Sequence, residues 1–144
     1  MADERFAPRP VAGWYMVAAI ASVVFMLVAC AGYLLTVTVD PQSLPVDQRA
    51  MVLAQPTWMM AAYAIAVWVG LVGAVMLVMR RRLAEPLLLV SLVAALITFL
   101  PYAVVPHVRD TISTDDIGAA LVVLAITWTI FWFARHSKQR GWLR

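Results

Sequence analysis

Few residues in this 144-residue chain have side chains that could carry chemistry: one cysteine, two histidines, eight carboxylates and some hydroxyls set in apolar runs. Leu27-Val28-Ala29-Cys30 matches the lipobox at which bacterial lipoprotein precursors are cleaved and lipidated, with Arg5 and Arg9 as a basic leader. However, the apolar run continues through Ala31-Gly32-Tyr33-Leu34-Leu35, whereas a signal peptide has an apolar core of roughly 7–15 residues before a polar mature start. Cys30 therefore reads as a small buried residue of a full span. A single cysteine also excludes an internal disulfide. His107 and His136 fall on opposite sides of the parse below, so they cannot share a metal or hold a haem between them. Ser22, Ser91, Thr98, Thr127 and Thr129 lie inside the apolar runs with no histidine or carboxylate at their depth, which argues against a nucleophilic hydrolase. Glu85 sits at an edge beside Arg80, Arg81 and Arg82 and reads as a solvated charge.

Four stretches contain no Asp, Glu, Lys or Arg: Gly13–Val39, Pro56–Met79, Pro86–Val105 and Ile117–Ala134. A helix needs about 20 residues to cross a hydrocarbon core of roughly 30 Å. Inside lipid each backbone N–H and C=O must be paired, and these runs lack the alternation of a barrel strand, so helices are expected. The composition agrees: 64% of residues are hydrophobic and 13% charged, against about 25% charged in an average soluble domain. The expected fold is all-α: one integral membrane four-helix bundle over residues 1–144, with spans near 13–37, 58–79, 86–105 and 116–134. Ionisable groups within membranes mark ion and proton pathways, and these spans hold none. That argues against a proton-coupled antiporter of the small multidrug type, which depends on a membrane-embedded glutamate in its first helix, since residues 13–39 contain none.

The ends of the runs set the topology. Arg5 and Arg9 precede the first span, Arg80, Arg81 and Arg82 join the second to the third, and Arg135, Lys138, Arg140 and Arg144 follow the fourth. The opposite side carries Arg49 and Arg109 beside Asp40, Asp47, Asp110, Asp115 and Asp116. By the positive-inside rule both termini and the arginine turn are expected in the cytoplasm. The short Arg80–Glu85 connection makes the second and third spans antiparallel neighbours. Thr114, Asp115 and Asp116 are expected to cap the fourth helix, and Pro86 fits the first turn of the third. Trp14, Tyr15, Trp58, Trp132 and Phe133 read as interfacial anchors. In the first outer connection Ser43 is a candidate cap, and Val46, Ala50, Leu53 and Ala54 share one helical face, which predicts a surface helix over about 44–55.

Within the spans, Pro101 deprives the Ile97 carbonyl of its helical partner, and a neighbouring hydroxyl or water can replace it. Gly70 and Gly73 permit close helix approach, although their i, i+3 spacing is not GxxxG. Trp68, Thr98, Pro101 and Trp128 are the candidate lining of a substrate path, or else packing residues. Met59, Met60, Met76 and Met79 read as packing or lipid-facing side chains.

From Pro56-Thr57-Trp58 through Ala66-Val67-Trp68-Val69-Gly70-Leu71-Val72-Gly73 to Leu89-Val90-Ser91-Leu92-Val93-Ala94, the sequence resembles a family of small bacterial four-span membrane proteins of uncharacterised function. Some of its members are labelled sugar transporters. The resemblance implies a similar four-helix fold. The spans hold no Asn, Gln or charge with which to grip a sugar, so the leading expectation is an accessory or structural subunit, not an enzyme, with no cofactor. Its expected partners are membrane lipid and either other membrane subunits or a second copy, with no nucleic acid. The alternatives are a small-solute carrier, for sugar among others, and a membrane enzyme or cofactor-binding protein.

Overall fold

The structure is a computed structural model that describes residues 10–110 and 112–144. Arg5 and Arg9 of the charge argument lie outside the described residues. Six α-helices and one 3-10 turn make up the described chain, with no strand among these residues. Four helices are long and apolar enough to cross a membrane: α1 (Trp14–Thr38), α3 (Thr57–Val78), α4 (Ala84–Val104) and α6 (Thr114–Gln139). At 1.5 Å per residue the shortest of them spans about 31 Å, the thickness of a hydrocarbon core. The chain is thus built as a multi-pass membrane protein. Charge divides its two ends. Arg80, Arg81, Arg82, Arg135 and Lys138 mark a basic end, and Asp40, Asp47, Asp110, Asp115 and Asp116 an acidic end.

The bundle is held by α3 against α4, with α1 packed on α3 and α6 on α4. Small residues make the α3–α4 approach possible. Ala62, Ala66 and Gly70 recur every four residues on the buried face of α3, continued by Gly73 and Ala74. A methyl group on Gly70 would lie 2.5 Å from Ser91 Oγ and 2.8 Å from Met26 Sδ, and one on Gly73 would lie 2.9 Å from Leu88 Cγ. The glycines therefore belong to a longer small-xxx-small seam, the usual device for bringing helices together without a hydrophobic force between them. The buried Ser91 hydroxyl crosses the seam and donates to the Ala66 carbonyl at 2.6 Å.

The basic end is closed by two matching helix terminations. After α3, Arg80 takes the left-handed conformation (φ 57°), Arg80 N–H donates to Leu77 O and Arg81 N–H to Met76 O. After α6, Gly141 does the same (φ 72°), Gly141 N–H donates to Lys138 O and Trp142 N–H to Ser137 O. Both are Schellman closures, which satisfy last-turn carbonyls. The second turns the chain back across the first: Arg144 N–H donates to Arg80 O at 2.5 Å and Arg82 N–H to Arg144 O at 2.9 Å. Trp142 and Leu143 are thereby buried in the main core with Tyr15, Leu77, Leu88 and Phe133.

Several expectations are corrected here. Tyr15 is not an interfacial anchor: it is fully buried and donates to Leu77 O at 2.6 Å. Phe133 is buried beside it, while Trp14, Trp58 and Trp132 stay exposed. Glu85 is not a solvated charge among arginines: its side chain is 20% exposed and pairs with Lys138 of α6. The cap of α6 is Ser113, one residue before the Thr114–Asp116 trio. Its hydroxyl accepts from Asp116 N–H at 3.2 Å, and the Asp116 carboxylate accepts from Ser113 N–H at 3.1 Å, a reciprocal capping box. Asp115 and Asp116 do place negative charge in the first turn. Ser43 does not cap α2 (Val46–Ala54). It ends the 3-10 turn Pro41–Ser43 and donates to Asp40 O at 2.7 Å, and no side chain caps α2. Arg49 ties α2 to that turn through the carbonyls of Pro41 and Gln42. Val46 and Leu53 of α2 are exposed.

Candidate functional site: a blind cavity in the acidic half

At the basic end α1 and α6 touch through rings: Trp14 and Tyr15 lie 5.5 and 5.3 Å from Phe133. Toward the acidic end both helices instead line a cavity of about 420 Å³ over the faces of α3 and α4. Its floor is at mid-bundle, at Phe25 and Met26 on α1, Val67 on α3, Ser91 on α4 and Thr127 on α6. Below that level the space is filled by the core around Tyr15, Ala19, Ala74, Leu77 and Leu88. The cavity is therefore blind. It reaches Thr36 on α1, a rise of about 16 Å from Phe25 at 1.5 Å per residue, or about half a hydrocarbon core.

Its walls change character with depth. Met26, Ala66, Val67 and Ala95 line the deeper part, while Thr36, Gln55, Met59 and Tyr102 stand toward the acidic end, with Tyr63 between. Tyr63 packs edge-on to Tyr33 at 5.4 Å and its hydroxyl oxygen lies against Gly32, where a side chain would reach it. Phe99 packs on Tyr102 at 6.0 Å. The aliphatic hydroxyls on the wall are already donated to main-chain carbonyls: Thr36 to Gly32, Thr98 to Ala94, Thr127 to Val123, and Ser91 across to Ala66. Thr98 thus turns to Ala94 and leaves the Ile97 carbonyl freed by Pro101 to another partner. Among the described residues no carboxylate, ammonium, guanidinium or imidazole lines the cavity. Its walls can bind by shape, apolar contact and neutral hydrogen bonding.

The four residues expected along a substrate path are not gathered in one place. Thr98 lines the cavity. Pro101 is buried in α4 but is not part of the lining. Trp68 and Trp128 are 45% and 58% exposed and face away from it, Trp128 edge-on to Phe131. Cys30 is buried in α1 with its thiol 3.5 Å from Val67 O, and Ser22 donates to Ala18 O. His107 is on α5 (Pro106–Arg109) at the acidic end, and His136 stacks on Trp132 near the basic end. No group of three or more His, Cys, Asp or Glu among the described residues could hold a metal ion. Sequence reasoning missed Tyr63, Tyr102 and Gln55. The available signal was their place, polar groups in the outer half of two spans and at the end of α2. No family model, curated protein or solved structure matches this chain.

Proposed function

We propose that this chain is a small, non-catalytic protein of a bacterial inner membrane, an accessory or structural subunit that binds a larger membrane assembly or further copies of itself through its helix faces. The observation that carries this reading is the interior. The hydroxyls of Tyr15, Ser22, Ser91, Thr98, Thr127 and Ser137 are each donated to a main-chain carbonyl. Among the described residues the fully buried polar side chains besides the tyrosines and Cys30 are hydroxyls, and the Glu85–Lys138 ion pair between α4 and α6 stands at the basic rim. Such an interior joins helices and has nothing with which to move ions. The outward faces carry large apolar side chains in helical register, such as Val17, Ile20, Val24, Leu27 and Val28 on α1, which lipid or a neighbouring helix can cover. The resemblance to small bacterial four-span proteins belongs to the same reading.

The charge asymmetry supports both termini and the Arg80–Arg82 turn on the cytoplasmic side, with α2 on the opposite surface. In a Cys30→Ala background, a cysteine at Gln42 is expected to react with a membrane-impermeant maleimide in intact cells, and a cysteine at Arg82 only after lysis. The reverse pattern refutes the orientation. For the function, extraction in mild detergent followed by native mass measurement is expected to return an oligomer or a stoichiometric partner. A monomer that brings no other protein with it removes the subunit role.

A solute-carrier role, for sugar or another small molecule, has the cavity in its favour. Its blind floor requires the Tyr15–Leu77 core to open for anything to cross. Sugar uptake by proteoliposomes of the purified chain tests this directly.

A further inference from the structure

We propose that the cavity of the acidic half is a binding site for one uncharged amphiphile drawn from the adjacent leaflet, a molecule with a hydroxyl- or carbonyl-bearing head and a single apolar chain, of the monoacylglycerol class. This does not depend on the subunit role above. Four observations converge on that chemistry. The volume, about 420 Å³, lies within the roughly 300–1,000 Å³ of small-molecule sites. The depth from Thr36 to Phe25 matches one leaflet and ends on a closed floor, so an occupant enters from one side and stops at mid-bilayer.

Polarity runs the same way as in a lipid. The Gln55 amide and the Tyr102 hydroxyl stand at the outer end beside Met59, Tyr63 lies below them, and Met26, Ala66, Val67 and Ala95 line the part toward the floor. Methionine adapts its shape to an irregular chain, and amide and phenol groups hydrogen-bond a neutral head in either sense. Finally, the lining offers no charge of either sign among the described residues. An ionised head drawn into it would lose water without gaining a counter-charge, so charged lipids are disfavoured and neutral ones are not.

The test uses the full chain in phosphatidylcholine nanodiscs and a monoacylglycerol carrying a diazirine at mid-chain. After illumination, label is expected on the peptides around Met26, Val67 and Ala95, and unlabelled monoolein is expected to displace it saturably. Ala29→Trp places an indole into the cavity from a partly exposed site on α1 and is expected to reduce labelling roughly ten-fold with helical content retained. If that variant does not fold, displacement by monoolein on the unaltered chain still decides. Gln55→Leu with Tyr102→Phe is expected to weaken displacement by monoolein about ten-fold while leaving displacement by a plain alkane unchanged. Label spread equally over the outward faces at Val17, Ile20 and Leu96, without saturation, overturns the site. Equal displacement by lysophosphatidic acid overturns the neutral head.

Discussion

The hydroxyl of Tyr15, one residue into α1, donates to the main-chain carbonyl of Leu77, one residue from the end of α3, at 2.6 Å. That carbonyl belongs to the last turn, where intrahelical donors run out. It also accepts from Arg80 N–H at 3.1 Å, so removal of the phenol does not strip it of partners. Tyr15→Phe is therefore expected to destabilise the bundle by only about 1 kcal/mol, in line with interhelical hydrogen bonds in membranes. Tyr15→Ala empties a fully buried site under Phe133 and Trp142 and is expected to cost about 3–5 kcal/mol. Denaturation by SDS titration from a mild detergent reads both. Equal losses for the two variants would show that the hydrogen bond, and not the ring, carries the contact.

The seam at Gly70 gives a sharper contrast. The Ser91 oxygen that a methyl at Gly70 would meet is fixed by its bond to Ala66 O, and Met26 closes the other side. Gly70→Ala is expected to destabilise by about 1–3 kcal/mol, as overpacking does. Adding Ser91→Gly removes the obstacle and is expected to restore part of that loss. Gly118→Ala, early in α6 with nothing within 4 Å, is expected to be neutral or to stabilise by about 0.5–1 kcal/mol. Thermal unfolding of the three variants in one detergent checks the order.

The four spans and the division of charge were legible because each is a signal summed over some twenty residues. What the sequence concealed depends on direction. On a helix apolar all round, nothing in the pattern says which face turns inward, so Tyr15 beside Trp14 read as a second anchor although it is fully buried and Trp14 half exposed. Trp142 and Leu143 were hidden among Lys138, Arg140 and Arg144, where a short apolar pair in a basic stretch carries no periodicity. Gly141 just after a helix with Lys138 in its last turn was the clue that a closure turns the chain there. Ser113 and Ser43 show the ambiguity of capping residues: both precede a helix, but Asp40-Pro41 starts a 3-10 turn that takes up the Ser43 hydroxyl. The cavity follows from the divergence of α1 and α6 above their ring contacts, which no local pattern encodes, and Trp68 and Trp128 were singled out in place of Tyr63 and Tyr102.

The two left-handed closures at the basic end carry different residues, and this separates backbone strain from side-chain contact. Gly141 at φ 72° suits its position, and Gly141→Ala is expected to cost about 1–2 kcal/mol although a methyl there meets nothing within 4 Å. Arg80 at φ 57° already bears that strain, with its guanidinium 5.8 Å from the Tyr15 ring centroid. Arg80→Ala loses the contact and keeps the strain, whereas Arg80→Gly loses both. Arg80→Gly is accordingly expected to be the more stable of the two by about 1 kcal/mol. The reverse order in an SDS titration would place the importance of this residue in its side chain.

Glu85 and Lys138 join the start of α4 to the last turn of α6, with the carboxylate far less exposed than the ammonium. Lys138→Met leaves a half-enclosed carboxylate without its cation, while Glu85→Gln leaves a lysine that is half exposed and can reach water. The lysine substitution is therefore expected to be the more damaging, and the double variant less so than the sum of its parts. A coupling of about 0.5–1 kcal/mol is expected, after allowance for solvent screening of the exposed partner. The same cycle in about 1 M salt should shrink toward zero if the pair acts through charge. A coupling that persists unchanged in salt would instead assign the contact to packing of the lysine stem against α4.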